Sequence, residues 1–263
     1  MRKIIIALVA LITATVQANL ATYEYAITNS GGTGPSLWYK NATTKSGEHM
    51  SNSGSSGAVN VAYRLAGALY TDVWGNENMA FGSTNAIAPA VASSTGLFAT
   101  GAQGTVSFLF KTPTTMPTGS YPDLFAQGAS FAVDIGPSSA MRIGYSNGVT
   151  TVYASIATLT TDTWYYFAMK WDTDKPSNDL TWYLGTASSS LQSNTLTIAK
   201  AGLNTTIALG QLNNPMQEVA IWQRELSDAS IQSQFDAIPE PATVGLFGAA
   251  ALGLMILRRR FMR

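Results

Sequence analysis

The 263-residue sequence contains no cysteine, so no disulfide can stabilise it and its core must hold the fold alone. Charged residues are also scarce, at 11% of the chain, whereas Gly, Ser, Thr and Asn are used heavily. Aromatic residues make up 10%. This composition is typical of an all-β domain with many turns and an uncharged polar surface.

Histidine occurs once, at His49, beside Glu48 in a segment rich in Gly and Ser. A Ser-His-Asp triad or a histidine base could be built only there, and no neighbouring pattern supports either. We therefore interpret His49 as a solvated loop residue. A transition-metal site that needs several His or Cys ligands is excluded by their number.

Carboxylates at strand spacing are nearly absent. Retaining glycoside hydrolysis needs two carboxyl groups about 5 to 5.5 Å apart, which residues two apart on one strand face can supply. The sequence has one such pair, Asp172 and Asp174, in a segment with Lys175 and Pro176 that favours a turn. Two catalytic carboxylates brought together from distant strands stay open as an alternative.

The N-terminus has the features of a secretory signal peptide over residues 1–18. Arg2 and Lys3 precede the apolar stretch from Ile4 to Ile12, and Ala18 ends a small-residue cleavage site. Cleavage after Ala21 is a less favoured alternative. The secretion translocon is therefore an expected partner.

The C-terminus, residues 238–263, combines three features. Pro239, Glu240 and Pro241 precede an apolar run over 242–257, which ends at Arg258, Arg259 and Arg260. A helix over that run would be about 24 Å long, a marginal span for a hydrocarbon core of about 30 Å. A helix buried in the domain is disfavoured, because clustered arginines are seldom buried and the run is apolar on every face.

This set of features resembles the PEP-CTERM sorting signal of Gram-negative bacteria. The resemblance implies a transmembrane helix at 242–257, a transient stay in the inner membrane and recognition by an exosortase. It also implies cleavage near Pro239 to Pro241 and delivery to the outer surface or to an exopolysaccharide matrix.

Residues 19–237 remain as one expected domain of 219 residues. Without the two terminal segments the chain has nine basic and fourteen acidic residues. Nucleic acid is therefore excluded as an expected partner.

Alternating apolar residues predict many short strands in this domain. Tyr23, Tyr25 and Ile27 predict a first, half-buried strand, and residues 29–57 are expected to be mostly loop. The strongest strand, 163–172, is apolar on both faces and leads through a turn to a strand that begins at Leu180. Ser227 is expected to cap the one short helix at the end of the domain. Many strands followed by one helix predict a sandwich.

Four segments resemble the laminin G-like, concanavalin A-like jelly-roll domains of bacterial surface proteins. They are Gly104–Lys111, Thr163–Asp172, Thr181–Gly185 and Glu218–Phe235. The resemblance covers roughly residues 58–235 and implies two curved antiparallel sheets, completed by the last strand and helix.

The same resemblance implies a calcium ion on the rim of a sheet. Candidate oxygen ligands are Asp72, Asn76, Asn78 and Glu218. Gln217 departs from the pattern, because related domains usually carry an acidic residue there. Ordinary turn formation is the alternative for the two asparagines.

Aromatic side chains in or beside loops are candidates for stacking on sugar rings, namely Trp38, Trp74, Tyr121 and Tyr153. The other candidate tryptophans, Trp164, Trp171, Trp182 and Trp222, are expected in the core. The leading hypothesis is an exported, non-enzymatic protein that binds or is embedded in extracellular polysaccharide. A polysaccharide-degrading enzyme on the same fold and a purely structural or adhesive matrix protein are the alternatives.

Overall fold

The computed structural model describes residues 20–40, 49–50, 53–55, 61–62, 69–74, 77–79, 90–93, 103–127, 131–146, 151–177, 179–197, 206–209 and 215–238. Helices of sufficient length and apolarity to cross a membrane are absent from these residues. The predicted signal peptide and transmembrane helix lie outside them.

The described part is an antiparallel β-sandwich. Its strands are β1 (Leu37–Tyr39), β2 (His49–Met50), β3 (Val61–Ala62), β4 (Leu69–Thr71), β5 (Glu77–Met79), β6 (Ala90–Ser93), β7 (Gln103–Lys111), β8 (Asp123–Gln127), β9 (Phe131–Ile135), β10 (Ala140–Ser146), β11 (Thr151–Thr158), β12 (Trp164–Asp172), β13 (Leu180–Gly185), β14 (Gln192–Leu196), β15 (Thr206–Leu209) and β16 (Met216–Trp222). The first sheet has the order β1-β16-β7-β12-β13-β14, and the second has the order β11-β10-β9-β8-β15-β6. Two small pairs, β2-β3 and β4-β5, complete the strands.

The main core lies between the two sheets and follows the predicted alternation. β7 contributes Val106, Phe108 and Phe110, and β9 and β10 contribute their own alternate residues. The ring centroids of Phe108 and Phe167 lie 5.2 Å apart. Since the alternate residues of β9 and β10 then point away from this core, Asp134 and Arg142 lie on the outer face of the second sheet.

Strand β12 is covered on both faces, as its sequence predicts. Phe167, Met169 and Trp171 pack between the sheets. Tyr166 and Ala168 belong to a second apolar cluster on the opposite side of the first sheet. The predicted turn to β13 is also present, and Trp171 faces Leu180 across the two strands.

A helix, α1, covers residues 20–29 and corrects the predicted first strand. Tyr23 and Ile27 are both fully buried, whereas Tyr25 is 69% exposed. Residues 23 and 27 share one face in either a strand or a helix. Residue 25 would share that face in a strand but lies on the opposite side of a helix, so only the exposure of Tyr25 distinguishes the two. α1 packs its buried face on the outer side of the first sheet, where Tyr23 and Ile27 join the second cluster.

The C-terminal helix, α2 (Asp228–Asp236), forms where the sequence predicts it. The Ser227 hydroxyl accepts a hydrogen bond from the Ser230 backbone N–H at 3.2 Å, which caps the helix. Gln234 is fully buried and links the helix to its surroundings. Its Nε2 donates to Ser30 Oγ at 2.8 Å, and its Oε1 accepts from Tyr166 OH at 2.9 Å.

Candidate functional site

Two exposed tyrosines enclose an arginine on the outer face of the second sheet. The Arg142 guanidinium carbon lies 3.1 Å from the centroid of the Tyr121 ring and 4.2 Å from that of the Tyr153 ring. Tyr121 is 42% exposed and Tyr153 is 49% exposed. We call Tyr121, Arg142 and Tyr153, together with Asp123 and Asp134, the tyrosine–arginine site.

A buried ion pair holds the arginine in place. Its Nε donates to Asp134 Oδ1 and its Nη2 donates to Asp134 Oδ2, both at 2.8 Å. The Asp134 side chain is 2% exposed and that of Arg142 is 17% exposed. Such a two-pronged pair fixes the guanidinium plane as well as its position. The hydrogen bond to Asp134 also raises the pKa of Arg142, so the cation is permanent.

A second carboxylate faces this pair from β8. Asp123 is the register partner of Asp134, which in turn pairs across to Arg142. The pKa of Asp123 is raised to about 6, mainly by burial and then by the neighbouring charge of Asp134, while Arg142 acts in the opposite direction. Asp123 is therefore mainly ionised at pH 7 and can accept or exchange a proton in mildly acidic conditions.

Two glycines allow the tyrosine rings to lie close to the sheet. A Cβ atom at Gly136 would lie 1.8 Å from Cε1 of Tyr121, and one at Gly144 would lie 2.7 Å from Cε1 of Tyr153. A side chain at either position would displace its ring. The register of β10 against β11 also shifts between Met141 and Arg142, which makes Ser155 the partner of Arg142.

The structure places the two candidate tryptophans elsewhere. Trp38 lies in β1 and Trp74 in the turn after β4, and each is only 3% exposed. Both belong to the second cluster, where the Tyr23 and Trp74 ring centroids are 5.3 Å apart. The prediction that they stack on sugars is wrong for this structure, because α1 and the first sheet cover their faces. Tyr121 and Tyr153 keep exposed rings.

The candidate calcium ligands can be placed only in part. Asp72 Oδ1 accepts a hydrogen bond from the Trp74 backbone N–H at 2.8 Å, and Glu218 Oε2 accepts one from Trp38 Nε1 at 2.9 Å. Both carboxylates are buried. Asn76 and the Asn78 side chain lie outside the described residues. In the part of the chain that the structure describes, no three His, Cys, Asp or Glu residues come together as a metal site.

The other residues considered for catalysis are the Asp172 and Asp174 pair and His49. Asp172 Oδ1 accepts a hydrogen bond from the Asp174 backbone N–H at 3.0 Å, which is the turn that the sequence favours. His49 lies in β2, where it pairs with Ala62 of β3, which corrects its predicted place in a loop; its side chain is outside the described residues.

Sequence reasoning missed three members of the tyrosine–arginine site. Asp134 and Arg142 occupy polar positions between apolar residues of β9 and β10, and Asp123 begins β8. Alternation shows that such residues point outwards, but only the register of three strands shows that they meet. Asp123 and Asp134 are thus two carboxylates that meet on neighbouring strands, β8 and β9.

Comparison with known proteins identifies a sorting motif and a fold. Residues 237–260 match the PEP-CTERM protein-sorting motif. A search of curated proteins finds no match to the sequence.

Two solved structures represent the fold similarity. A Trypanosoma rangeli sialidase in complex with the inhibitor DANA is 10% identical, with a TM-score of 0.54 over 86% of this chain and 39% of its own. The binding domain of botulinum neurotoxin DC in complex with SialylT is 11% identical, with a TM-score of 0.50 over 77% of this chain and 50% of its own. The chain thus spans half or less of each protein, and these identities show the fold alone.

The architecture and the motif agree with the two resemblances at the level of fold and sorting. The neighbours are jelly-roll-like β-sandwiches, and PEP-CTERM signals mark proteins for export to the surface or the extracellular space. The chain is an exported protein in which a PEP-CTERM sorting motif follows a jelly-roll-like antiparallel β-sandwich.

Proposed function

We propose that this protein is a non-enzymatic component of the bacterial surface or matrix that binds extracellular polysaccharide. The observation that carries the proposal is the pair of exposed tyrosine rings, Tyr121 and Tyr153, held on one sheet face by Arg142. Aromatic rings present apolar faces to the C–H groups of sugars, while nearby polar groups bind hydroxyls. Rings fixed before binding lose little conformational entropy when a ligand stacks on them.

The test is retention of the purified protein on a panel of immobilised polysaccharides. A Tyr121→Ala/Tyr153→Ala double variant should lose retention by at least tenfold, because both stacking surfaces are removed. Tyr25→Ala is the matched control, since Tyr25 is 69% exposed on α1 and lies outside the site. Absence of retention on every glycan would reject the proposal and favour a structural or adhesive matrix protein.

The sorting motif also suggests the steps by which the protein is exported. In this proposal an exosortase of a Gram-negative host recognises Pro239, Glu240 and Pro241 while the apolar run 242–257 holds the chain in the inner membrane. Arg258, Arg259 and Arg260 would remain on the cytoplasmic side. Mass spectrometry of the surface and inner-membrane fractions tests this route. A surface protein that retains residues 242–263 would contradict it.

A polysaccharide-degrading enzyme is the second candidate, and one observation favours it. Asp123 and Asp134 are register partners, and such cross-strand pairs have Cβ atoms about 4.5–5.5 Å apart. Asp123, with its pKa of about 6, would be the general acid. Against this role, Arg142 holds both oxygens of Asp134, which weakens that carboxylate as a nucleophile. Reducing-sugar release that is abolished by Asp123→Asn would establish the enzyme.

Calcium stays a prediction that can be tested independently. Asp72 and Glu218 would supply carboxylate oxygens, and Asn76 and Asn78 would supply amide oxygens. If calcium binds only the folded protein, it must raise the melting temperature. A Glu218→Gln variant should lose that increase, and an unchanged melting temperature in millimolar calcium would reject the site.

A further inference from the structure

The tyrosine–arginine site also carries information about the class of glycan, which rests on the proposed function. Asp134 occupies one fork of the Arg142 guanidinium, formed by Nε and Nη2. The guanidinium carbon also lies over both the Tyr121 and the Tyr153 ring. Because Asp134 compensates its charge and its side chain is only 17% exposed, Arg142 is a weak receptor for a ligand carboxylate or sulfate.

The charge of the site leads to the same conclusion. Arg142 and Asp134 neutralise each other, whereas Asp123 adds a second carboxylate opposite Asp134. These three residues have a net charge of −1 when all are ionised. A polymer of acidic sugars would bring further negative charge to a partly desolvated carboxylate, where repulsion is poorly screened.

The same residues suit an uncharged saccharide. Tyr121 and Tyr153 provide apolar surface for the C–H faces of sugar rings, and Asp123 can accept hydrogen bonds from hydroxyl groups. Ser155, the register partner of Arg142 on β11, adds an exposed hydroxyl on the same row. Stacking rings, a carboxylate acceptor and a hydroxyl all recognise neutral sugar chemistry.

We propose that the tyrosine–arginine site selects glycans without acidic groups over glycans that carry carboxylates or sulfates. Arg142 is a positioning residue in this arrangement, because it holds the two rings and contacts Asp134. Tyr121, Tyr153 and Asp123 are the residues that meet the ligand.

The experiment uses the full purified chain and polysaccharides that differ only in charge. Alginate and polygalacturonate are each immobilised beside their carboxyl-reduced forms, together with neutral glucan, mannan and galactan, at pH 7.5 and low salt. We expect retention on neutral members to exceed that on acidic members by about fivefold or more. The Tyr121→Ala/Tyr153→Ala variant should lose the neutral retention, and Tyr25→Ala should keep it.

An Asp123→Asn variant tests the physical cause. Without this charge, retention on neutral glycans should exceed retention on acidic glycans by about twofold or less. An unchanged ratio would overturn the electrostatic argument. Tyrosine-dependent retention that is equal or stronger on acidic glycans would overturn the selectivity while leaving the proposed function in place. Retention that the tyrosine changes leave intact would overturn the site, and retention on no glycan would overturn the proposed function itself.

Discussion

The indole Nε1 of Trp38 donates a 2.9 Å hydrogen bond to Oε2 of Glu218, across 180 positions of sequence. Both side chains are buried, at 3% and 1% exposure. Glu218 has a φ of +53° and lies where the register of β16 against β7 shifts between Gln217 and Ala220. The bulge thus turns a carboxylate towards β1 in the interior, where Trp38 is one of its partners.

Replacing Trp38 with phenylalanine should destabilise the protein by about 1–3 kcal/mol, because the buried carboxylate loses a donor while most of the ring packing remains. Urea unfolding followed by circular dichroism measures this change. Tyr25→Phe, at an exposed position, should stay within about 0.5 kcal/mol of the parent protein. Equal stability of the Trp38→Phe variant would contradict a structural role for this bond.

Removing Arg142 should cost more than removing a surface cation. Arg142→Ala leaves Asp134 buried without its cation, and breaking such a pair costs about 3–5 kcal/mol in other proteins. Arg142→Lys should cost less, because lysine keeps the charge but loses the fork. Asp134→Asn in the Arg142→Ala background should recover part of the loss. A double-mutant cycle in unfolding free energy gives the coupling, and a coupling near zero would contradict the pair.

Asp123 should make stability depend on pH in a defined window. Its pKa is raised from 3.8 to about 6 in the folded protein, so ionisation above about pH 6 opposes folding, and acidification through pH 6 relieves this penalty. The stability of Asp123→Asn relative to the parent should therefore be greatest above pH 6 and should fall as pH decreases towards 4. Unfolding at pH 7.5, 6 and 4.5 measures the trend. Asp236→Asn on the exposed end of α2 is the control, and a pH-independent difference for Asp123→Asn would refute the assignment.

Gln234 should be the most sensitive polar residue of α2. Its amide connects Ser107, Tyr166 and Ser30 through hydrogen bonds of 2.8–3.0 Å. Gln234→Ala leaves these buried groups without that partner and creates a cavity, which should cost about 2–4 kcal/mol. Gln232→Ala, exposed on the same helix, is the matched control. Hydrogen exchange should show faster exchange in α1 as well, since Ser30 follows that helix. If the amides of α1 exchange in Gln234→Ala at the same rate as in the parent protein, the linkage is contradicted.

The end of the domain limits where the sorting tail can be removed. Ala237 and Ile238 are 6% and 8% exposed and belong to the second cluster, and the Ile238 backbone N–H donates to Phe235 O at 3.0 Å. A mature protein should therefore end at or after Ile238. Truncation after Asp236 should cost about 2–3 kcal/mol relative to truncation after Ile238, because a buried isoleucine is lost. Mass spectrometry locates the natural C-terminus, and a natural end before Ile238 would contradict this prediction.

The sequence alone was informative where a pattern is long or local. The strand at 163–172 follows from apolar residues on both of its faces, and the Ser227 cap follows from one residue type before an apolar face. The sorting motif is likewise a local string, and its features can be read without any fold. α1 was mistaken for a strand because residues 23 and 27 satisfy both periods over so short a segment.

Tertiary structure decided which aromatic residues meet solvent and which charges meet each other. Trp38 and Tyr121 both lie in polar, turn-rich sequence, yet α1 and the first sheet bury one while the other remains 42% exposed. Asp123, Asp134 and Arg142 form one row only because β8, β9 and β10 pair in a particular register. The sequence by itself determined the export address, the β class and the absence of disulfides, because these depend on composition and contiguous motifs. The arrangement of the tyrosine–arginine site depended on strand register and on which surfaces the helices cover, and a local stretch of sequence determines neither.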